Sequence, residues 1–355
     1  MRTRTTVPLA LAILMPALPL AAATSTLDDL VRLVRDAVQQ QQSDGDMARA
    51  LRRLSLKARM DDRTAEELES LAPGPESIAE LEELREVSRD KPLPKALPDF
   101  PSPPVPSAAE LHDVLYEASR KALTYTAGLP DFICTETARR YERLNGGWML
   151  KDTLTLQLTY FEYRETYKLT AQDGRKTSLS YEDVSGAWSK GEFGSMLLDV
   201  FSPVSKAVFK WSNWTTLRHR PAYVLSFRID AGNSTYRLRV VPQRNPVTST
   251  VVGEHGLAYI DRETKEVLRM DSECDSIPGS FPLRGATRAL DYGPVEVGGR
   301  SFLLPLHAKV EMMVRYGGLQ VRNEMEFSDY RKFTGESEIT FGDSVDEKPA
   351  PAEKK

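Results

Sequence analysis

The sequence predicts an α+β protein: a small N-terminal helical bundle, a proline-rich linker, and a large antiparallel curved sheet, a half-barrel covered by a few helices. Three observations lead to this prediction. Apolar residues recur at helical spacing across 26–90, prolines crowd 91–106, and apolar and polar residues alternate through most of 131–341. Because the chain has 355 residues, we expect more than one domain.

The first segment, 1–23, has the pattern of a secretory signal peptide. Arg2 and Arg4 precede the apolar stretch VPLALAILMPALPL, and AAA at 21–23 supplies an A-x-A cleavage site. Prolines interrupt the stretch, which is too short for a comfortable membrane span. We therefore expect cleavage near Ala23 and a periplasmic or secreted mature protein. An uncleaved membrane anchor is the alternative.

Residues 24–90 are expected to form the helical domain. In LDDLVRLVRDAVQQQ, positions 27, 30, 31, 34 and 38 share one apolar face, and shorter amphipathic stretches follow. Gly45 and Gly74 mark breaks between helices. The next stretch, KPLPKALPDFPSPPVP at 91–106, contains seven prolines and predicts a semi-rigid polyproline II linker.

The half-barrel domain, 107–341, is expected to open with one helix and to continue in strands. Ser107 and Glu110 have the spacing of a capping box before a helix over 108–126. The tail 342–355 is expected to be disordered. The strand candidates are 131–144, 148–160, 163–170, 206–218, 223–229, 236–240, 248–252, 256–261, 266–275, 286–293, 302–316 and 319–327.

A hairpin near the end of this domain gives the strongest local signal. Apolar residues alternate over 302–316, a Gly-Gly pair follows, and alternation resumes over 319–327 with Asn323 as the one exception. A two-residue Gly-Gly loop is typical of a type I′ turn. Such a turn would pair Tyr316 with Leu319.

Two further turns are predicted from polar segments between strand candidates. AGNS at 231–234 is expected to join 223–229 to 236–240 as a hairpin. In LAYIDRETKEVLRM, Asp261 to Lys265 is expected to be the turn between two short strands.

Charge argues against a nucleic-acid partner. Removing Arg2 and Arg4 from 47 basic residues leaves 45 against 51 acidic ones, so the mature net charge is −6. Neither sign dominates any stretch, and the basic stripe that nucleic-acid binding requires is missing from the sequence.

The chain has two cysteines, Cys134 and Cys274. In an oxidising compartment an even pair is most simply a disulfide, which we expect here. Two buried thiols are the alternative. A metal site is not expected, because neither cysteine lies at metal-ligand spacing from another cysteine or a histidine.

The sequence contains no diagnostic catalytic motif. GxGxxG, P-loop, HExxH and GxSxG patterns are all missing, and the four histidines are not spaced as a local metal pair. We therefore expect no enzymatic activity, no cofactor and no metal.

One apolar stretch within the strand-rich region, WSKGEFGSMLLDVFSP at 188–203, predicts a short amphipathic helix. The predicted sheet of the half-barrel domain could close into a filled barrel or be covered by the N-terminal bundle. It could also remain a half-barrel with an apolar cavity and this helix as plug or lid. For the third case the candidate cavity residues are Phe193, Met196, Leu197, Val200, Phe201, Val310, Met312 and Val314. Ordinary hydrophobic core is the alternative for each of them.

Several segments resemble known exported proteins. LAYIDRETKEVLRM is similar to the recurring ID-xx-T-x-x-V-xx hairpin of periplasmic outer-membrane lipoprotein-sorting carriers, and YGPVEVGGRSFLLPLHAKVEM and FSDYRKFTGESEITF resemble late strands of these and related proteins. GLPDFICTETARRYERL and SKGEFGSMLLDVFSPVSKAVFKW resemble segments of a family of exported bacterial proteins. The resemblance covers 107–341, whereas the helical segment and the proline stretch depart from the one-domain carriers. It implies an incomplete barrel closed by helices that carries lipids or lipidated proteins.

We therefore expect an exported, non-enzymatic protein that binds a lipid or a lipidated partner in an apolar cavity of the half-barrel. The alternative is a cell-envelope scaffold with a filled core, whose residues 26–90 bind another envelope protein. A hydrolase ranks last, because it needs a buried cluster of titratable groups that the sequence does not reveal. A carrier requires an apolar cavity under the 191–203 segment, whereas a scaffold requires an exposed apolar patch on 26–90.

Overall fold

The computed structural model describes residues 23–144, 146–162, 164–181, 184, 195–240 and 248–333. The expected signal peptide, the expected disordered tail and Phe193 lie outside these described residues. The chain divides into two compact units, one comprising 1–101 with 217–219 and the other 102–216 with 220–355. The predicted domain boundaries at 90 and 106 stay predictions.

The first unit contains the predicted helices. They are α1 (Leu27–Gln39), α2 (Asp44–Leu51), α3 (Asp62–Leu71) and α4 (Pro75–Ser88), and the short strands β1 (Ala23–Ser25) and β2 (Leu54–Leu56) pair in parallel beside them. Thr26, Ser43 and Asp61 cap the first three helices, and Pro75 occupies the first turn of α4. The sequence did not predict β1 and β2, because three residues are too few to show alternation.

The proline-rich stretch is not a free spacer. The Pro92 carbonyl accepts a hydrogen bond of 3.0 Å from the backbone N–H of Arg59. Phe100 is buried in the helical core, with the guanidinium groups of Arg35 and Arg63 over its ring at 5.3 and 5.8 Å. The stretch up to residue 100 therefore belongs to the packing of the first unit.

The second unit is built around one large antiparallel sheet. Its elements are α5 (Ala108–Gly128), β3 (Phe132–Arg143), β4 (Met149–Phe161), β5 (Arg164–Gln172), β6 (Arg175–Lys176), α6 (Ser195–Phe201), β7 (Val208–Leu217), β8 (Arg220–Ile229), β9 (Arg237–Val240), β10 (Thr248–Val251), β11 (Gly253–Asp261), β12 (Val267–Asp275), β13 (Leu283–Val297), β14 (Arg300–Val314) and β15 (Gln320–Lys332). Eleven strands lie in the order β6-β5-β4-β3-β15-β14-β13-β12-β11-β8-β7, while β9 and β10 form a separate ribbon. The sheet is curved and open, so the predicted α+β class with a half-barrel is confirmed.

The inner face of this sheet holds the main core. Side chains from β3–β5, β7, β8 and β11–β15 form one apolar cluster, which α5 and α6 cover. A second, smaller cluster lies where the β9–β10 ribbon and the 277–283 segment meet β12–β14. The two predicted helices of the half-barrel domain therefore cover the larger of two apolar regions.

The register predicted for the Gly-Gly hairpin is wrong by two residues. Val314, not Tyr316, lies opposite Leu319, and its backbone N–H donates to the Leu319 carbonyl at 2.9 Å. The next residue, Arg315, bonds on the β13 side of β14: its backbone N–H donates to the Pro282 carbonyl and its guanidinium donates to the carbonyls of Phe281, Pro278 and Leu283. These bonds hold the end of β14 against the 278–283 segment.

The hairpin predicted between 223–229 and 236–240 is also wrong. Strand β8 pairs with β11, for example Ile229 with Glu254, whereas β9 pairs with β10 in the separate ribbon. The partner of Ile229 is thus a residue 25 positions later in the chain, on β11, and β11 occupies the place that the prediction gave to β9. By contrast, the predicted turn from Asp261 to Lys265 is confirmed between β11 and β12.

The expected disulfide is not formed, because both cysteines are free and buried. Cys134 lies on β3 and Cys274 on β12, and three strands stand between them in the sheet. Four interstrand steps of about 4.8 Å place them about 19 Å apart along the sheet, whereas bridged cysteines have Cα atoms within about 7 Å. The alternative of two buried thiols describes the structure.

Candidate functional site on the inner face of the sheet

Helix α6 is short and is closed by its own C-terminal turn. It spans Ser195–Phe201, and a 3-10 turn over Pro203–Ser205 follows directly. The Ser205 hydroxyl donates to the carbonyls of Val200 and Ser202 at 3.1 and 2.7 Å, which satisfies carbonyl groups that the helix end leaves open. The predicted amphipathic helix is therefore present, with a defined end.

The predicted site residues on α6 meet the inner face of the sheet. Met196, Leu197, Val200 and Phe201 are all buried in the main apolar cluster. The Phe201 ring stacks on that of Phe209 in the edge strand β7, with 5.3 Å between ring centres, and Phe209 in turn lies 6.2 Å from Phe227. The apolar face of α6 thus covers one end of the half-barrel.

The three predicted site residues on β14 do not all join this cluster. Val310 packs against the cluster that contains α6, whereas Met312 and Val314 pack against the second cluster. All three side chains are on the same face of β14. What separates them is a row of polar residues that crosses the sheet at the level of Val310.

This polar row follows the strand register residue by residue. Ser272 lies opposite Arg288, Arg288 opposite Val310, Val310 opposite Asn323, Asn323 opposite Arg140, and Arg140 opposite Asp152. One signal of this row is visible in the sequence, since Asn323 is the exception in an otherwise apolar face. The rest could not be found without knowing which strands are neighbours.

One end of the row is a closed ion pair. The guanidinium of Arg140 donates through Nε to Oδ1 of Asp152 at 2.6 Å and through Nη2 to Oδ2, and both side chains are buried. The side-chain amide of Gln172 donates to the same Oδ2 at 3.0 Å. Bidentate geometry and a third donor compensate the cost of burying this pair.

The other end of the row is an open ion pair. Arg288 donates through Nη2 to Oε2 of Glu254 at 2.8 Å and through Nε to the Ser272 hydroxyl at 3.0 Å, and the Tyr236 ring lies 3.9 Å from the guanidinium. The Glu254 side chain is 1% exposed and that of Arg288 15%. Among the residues that the structure describes, Oε1 of Glu254 has no hydrogen-bond partner. A buried carboxylate oxygen without a donor carries a desolvation cost.

Helix α6 brings a second carboxylate to this end. Asp199 accepts a hydrogen bond from the hydroxyl of Thr235, which is exposed, and lies within electrostatic range of Arg288 and Glu254. Burial raises the pKa of Asp199 despite the Thr235 hydrogen bond and the positive charge of Arg288. Burial disfavours the charged form of Arg288, but the carboxylate of Glu254 outweighs it and raises the arginine pKa.

An aromatic group lies along the edge of the sheet. The rings of Trp211 and Trp214 are 5.2 Å apart, Tyr223 lies 4.5 Å from Trp214, and Arg262 covers Trp214 at 5.2 Å. The indole N–H of Trp214 donates to the carbonyl of Pro104 at 3.1 Å. The last part of the proline-rich stretch therefore lies against these rings.

The other features that could mark a site do not suit an apolar ligand. A hollow of about 450 Å³ on the helical unit is lined by Gln42, Asp46, Arg49, Ala50 and Arg53, which is a polar lining. Within the described ranges, no three His, Cys, Asp or Glu side chains are placed to hold a metal ion together. None of the described helices combines the length and the apolar character that a membrane crossing requires.

The chain is similar to several solved structures at low identity. A DUF1329 family protein from Desulfovibrio piger is 10% identical, with a TM-score of 0.31 over 63% of this chain and 93% of that one. A LolA superfamily protein from Nitrosomonas europaea is 12% identical, with a TM-score of 0.24 over 65% and 97%. For the Mycobacterium tuberculosis lipoprotein LppX, the identity is 8% and the TM-score 0.22, over 63% and 97%.

A putative outer membrane lipoprotein-sorting protein domain from Vibrio parahaemolyticus is also similar, at 13% identity and a TM-score of 0.26 over 63% of this chain and 94% of that one. No family model and no curated protein matches the chain. Identities and TM-scores this low transfer no binding site from those proteins to this one.

Proposed function

We propose that the chain is an exported, non-enzymatic protein that binds a lipid or a lipidated partner on the inner face of its half-barrel, beneath α6. The observation that carries the proposal is the way α6 covers that face. It is a helix of seven residues with four buried apolar side chains, one of which stacks on the edge strand. A helix this short is not stable alone in water, so its position depends on apolar contacts with the sheet.

An acyl chain can replace these contacts at little net cost. Burying four large apolar side chains contributes about 6–12 kcal/mol, at about 1.5–3 kcal/mol each. A chain of about fourteen buried methylenes contributes about 11 kcal/mol, at about 0.8 kcal/mol each. Because the two contributions, both counted from water, are of the same size, an acyl chain that enters from water can replace the helix without a large input of free energy.

The first test is native mass spectrometry of the mature protein purified from its own envelope fraction, followed by organic extraction. We expect a co-purifying mass that extraction identifies as lipid. The protein is then offered vesicles that contain a phospholipid with a photoreactive acyl chain. Crosslinks are expected on peptides of α6 and of the inner face of β8 and β11–β14.

A pair of variants tests whether the space beneath α6 is the site. Val310→Trp places a large ring on the inner face of the sheet, where it stays when α6 moves, and should abolish uptake and crosslinking, with the fold monitored by circular dichroism. Val204→Trp is the matched control, since Val204 is 75% exposed in the turn after α6, and should bind lipid as the parent does.

Two outcomes would overturn the proposal. One is a lipid-free mass together with no uptake from vesicles. The other is crosslinking confined to residues 26–90, which would favour the scaffold alternative. That alternative has less support, because Val38, Leu71 and Val87 are exposed singly on three different helices, as is ordinary for a soluble surface.

A further inference from the structure

The open ion pair of Glu254 and Arg288 lies at the polar boundary of the proposed lipid site. Glu254, Ala258 and Ile260 lie on the same inner face of β11, because they are separated by even numbers of residues. Ala258 and Ile260 belong to the apolar cluster beneath α6. A ligand whose acyl chain lies in that cluster therefore brings its head group to the level of Glu254 and Arg288.

The charges at this boundary are unbalanced. Two carboxylates, Asp199 and Glu254, face the single guanidinium of Arg288 among the described residues of this group. Arg288 uses one nitrogen for Glu254 Oε2 and another for Ser272, and no donor from the described ranges of the chain reaches Oε1 of Glu254. A second positive charge that carries N–H donors would balance both the charge and the hydrogen bonding.

The boundary also has a route to solvent. Thr235, which bonds Asp199, is exposed, and the Arg288 side chain keeps 15% of its surface accessible. Asp199 lies on α6, the helix that an incoming acyl chain is proposed to displace. A movement of α6 that keeps the hydrogen bond between Asp199 and Thr235 uncovers Arg288 and Glu254 and leaves both carboxylates at the opening.

We infer that this boundary binds the primary ammonium group of an aminolipid, which donates a hydrogen bond to Oε1 of Glu254. The inference rests on the proposed lipid binding and specifies the head group. A quaternary ammonium has the charge without the N–H donors, and a polyol head group has hydroxyl donors without the charge. Both should bind less well than a primary amine.

The experiment offers the mature full-length chain vesicles made of equal parts of phosphatidylethanolamine, phosphatidylcholine and phosphatidylglycerol with identical acyl chains. Native mass spectrometry then reports which lipid is captured. We expect phosphatidylethanolamine to be preferred about ten-fold over each of the others, the discrimination typical of one charge-assisted hydrogen bond in a buried site.

Variants separate the head-group site from the fold. Glu254→Gln keeps the side-chain shape, removes the charge and should abolish the preference while lipid uptake continues. Asp199→Asn, at the half-buried rim, should weaken the preference without threatening the core. Glu273→Gln is the matched control, because Glu273 is exposed on the opposite face of β12. It should leave the preference unchanged.

The outcomes distinguish this inference from the proposed function. Capture of all three lipids in equal amounts would overturn the inference and leave lipid binding intact, with water as the partner of Oε1. If the parent, Asp199→Asn and Glu254→Gln all prefer phosphatidylethanolamine to the same degree, the selectivity arises elsewhere in the protein. That result would also overturn the inference. Capture of no lipid at all would overturn the proposed function and the inference together.

Discussion

The hydroxyl of Tyr223 donates a hydrogen bond of 2.8 Å to Oε1 of Glu110, and so joins β8 to the first turn of α5 across 113 residues of sequence. The backbone N–H of Glu110 also donates to the Ser107 hydroxyl at 3.1 Å, which caps the same helix. The predicted capping position is thus occupied, and the Glu110 carboxylate holds the long covering helix to the sheet.

Removing this tie should loosen the second unit. Tyr223→Phe deletes a hydrogen bond to a charged group, and we expect the free energy of unfolding to fall by about 1.5 kcal/mol. Tryptophan fluorescence during urea unfolding measures this change selectively, because all four tryptophans follow residue 102 in the sequence and Trp148, Trp211 and Trp214 lie in the second unit. Tyr316→Phe is the control, since Tyr316 is 78% exposed. Equal stability of the two variants would contradict the expectation.

The turn between β11 and β12 depends on one carboxylate. Asp261 is buried and accepts from the backbone N–H groups of Glu263 and Thr264 at 2.9 and 2.6 Å and from Nε of Arg220 at 2.8 Å. Asp261→Ala should therefore destabilise the protein by about 2–3 kcal/mol at pH 7. Asp230→Ala is the control, because the Asp230 side chain is 80% exposed.

The same carboxylate gives a pH dependence with a defined sign. Burial alone would raise the pKa of Asp261, but the hydrogen bonds from Thr264 and the charge of Arg220 lower it below its ordinary value of 3.8. Its contribution is present above that value and is lost as the pH falls through the folded pKa. The stability difference between the parent and Asp261→Ala should thus shrink in acid. A difference that stays constant from pH 7 to pH 3 would contradict this assignment.

Gly256 lies on β11 at a position with no room for a side chain against β12. A Cβ atom on this residue would lie 1.9 Å from the Asp271 carbonyl oxygen, a backbone atom that cannot move without breaking the ladder. Gly256→Ala should cost at least about 3 kcal/mol or prevent folding. Gly279→Ala is the matched control, because no atom lies within 4 Å of the position of its Cβ. Similar expression levels and melting temperatures for both variants would show that the strands can separate.

Much of this architecture could be predicted from local pattern. The α6 helix follows from helical spacing in 193–201, and the β11–β12 turn follows from the Asp261 segment. What failed depended on partners distant in sequence. The end of β14 is held through Arg315 to carbonyls near 280, and β11 takes the edge of β8 that β9 was expected to occupy. The open ion pair of Glu254 and Arg288 could not be predicted from the sequence for the same reason. The two residues are 34 positions apart, and only the strand order brings their side chains together.

The two thiols give a test of the sheet order itself. Burial raises the pKa of Cys274 to about 12, and burial raises that of Cys134 as well. At pH 8 the Cys274 thiolate is then a fraction of about one in ten thousand, so alkylation of the folded protein should be very slow. We expect iodoacetamide to add nothing to the intact mass of the native protein. Val204→Cys, with an exposed thiol, should add one group and serves as the positive control.

Denaturant without reductant then separates free thiols from a disulfide. Two added groups under these conditions would confirm that Cys134 and Cys274 are unbonded, as their places on β3 and β12 require. If alkylation in denaturant occurs only after reduction, the two cysteines are bonded. Strands β3 and β12 would then have to meet, which an open sheet with three strands between them does not allow.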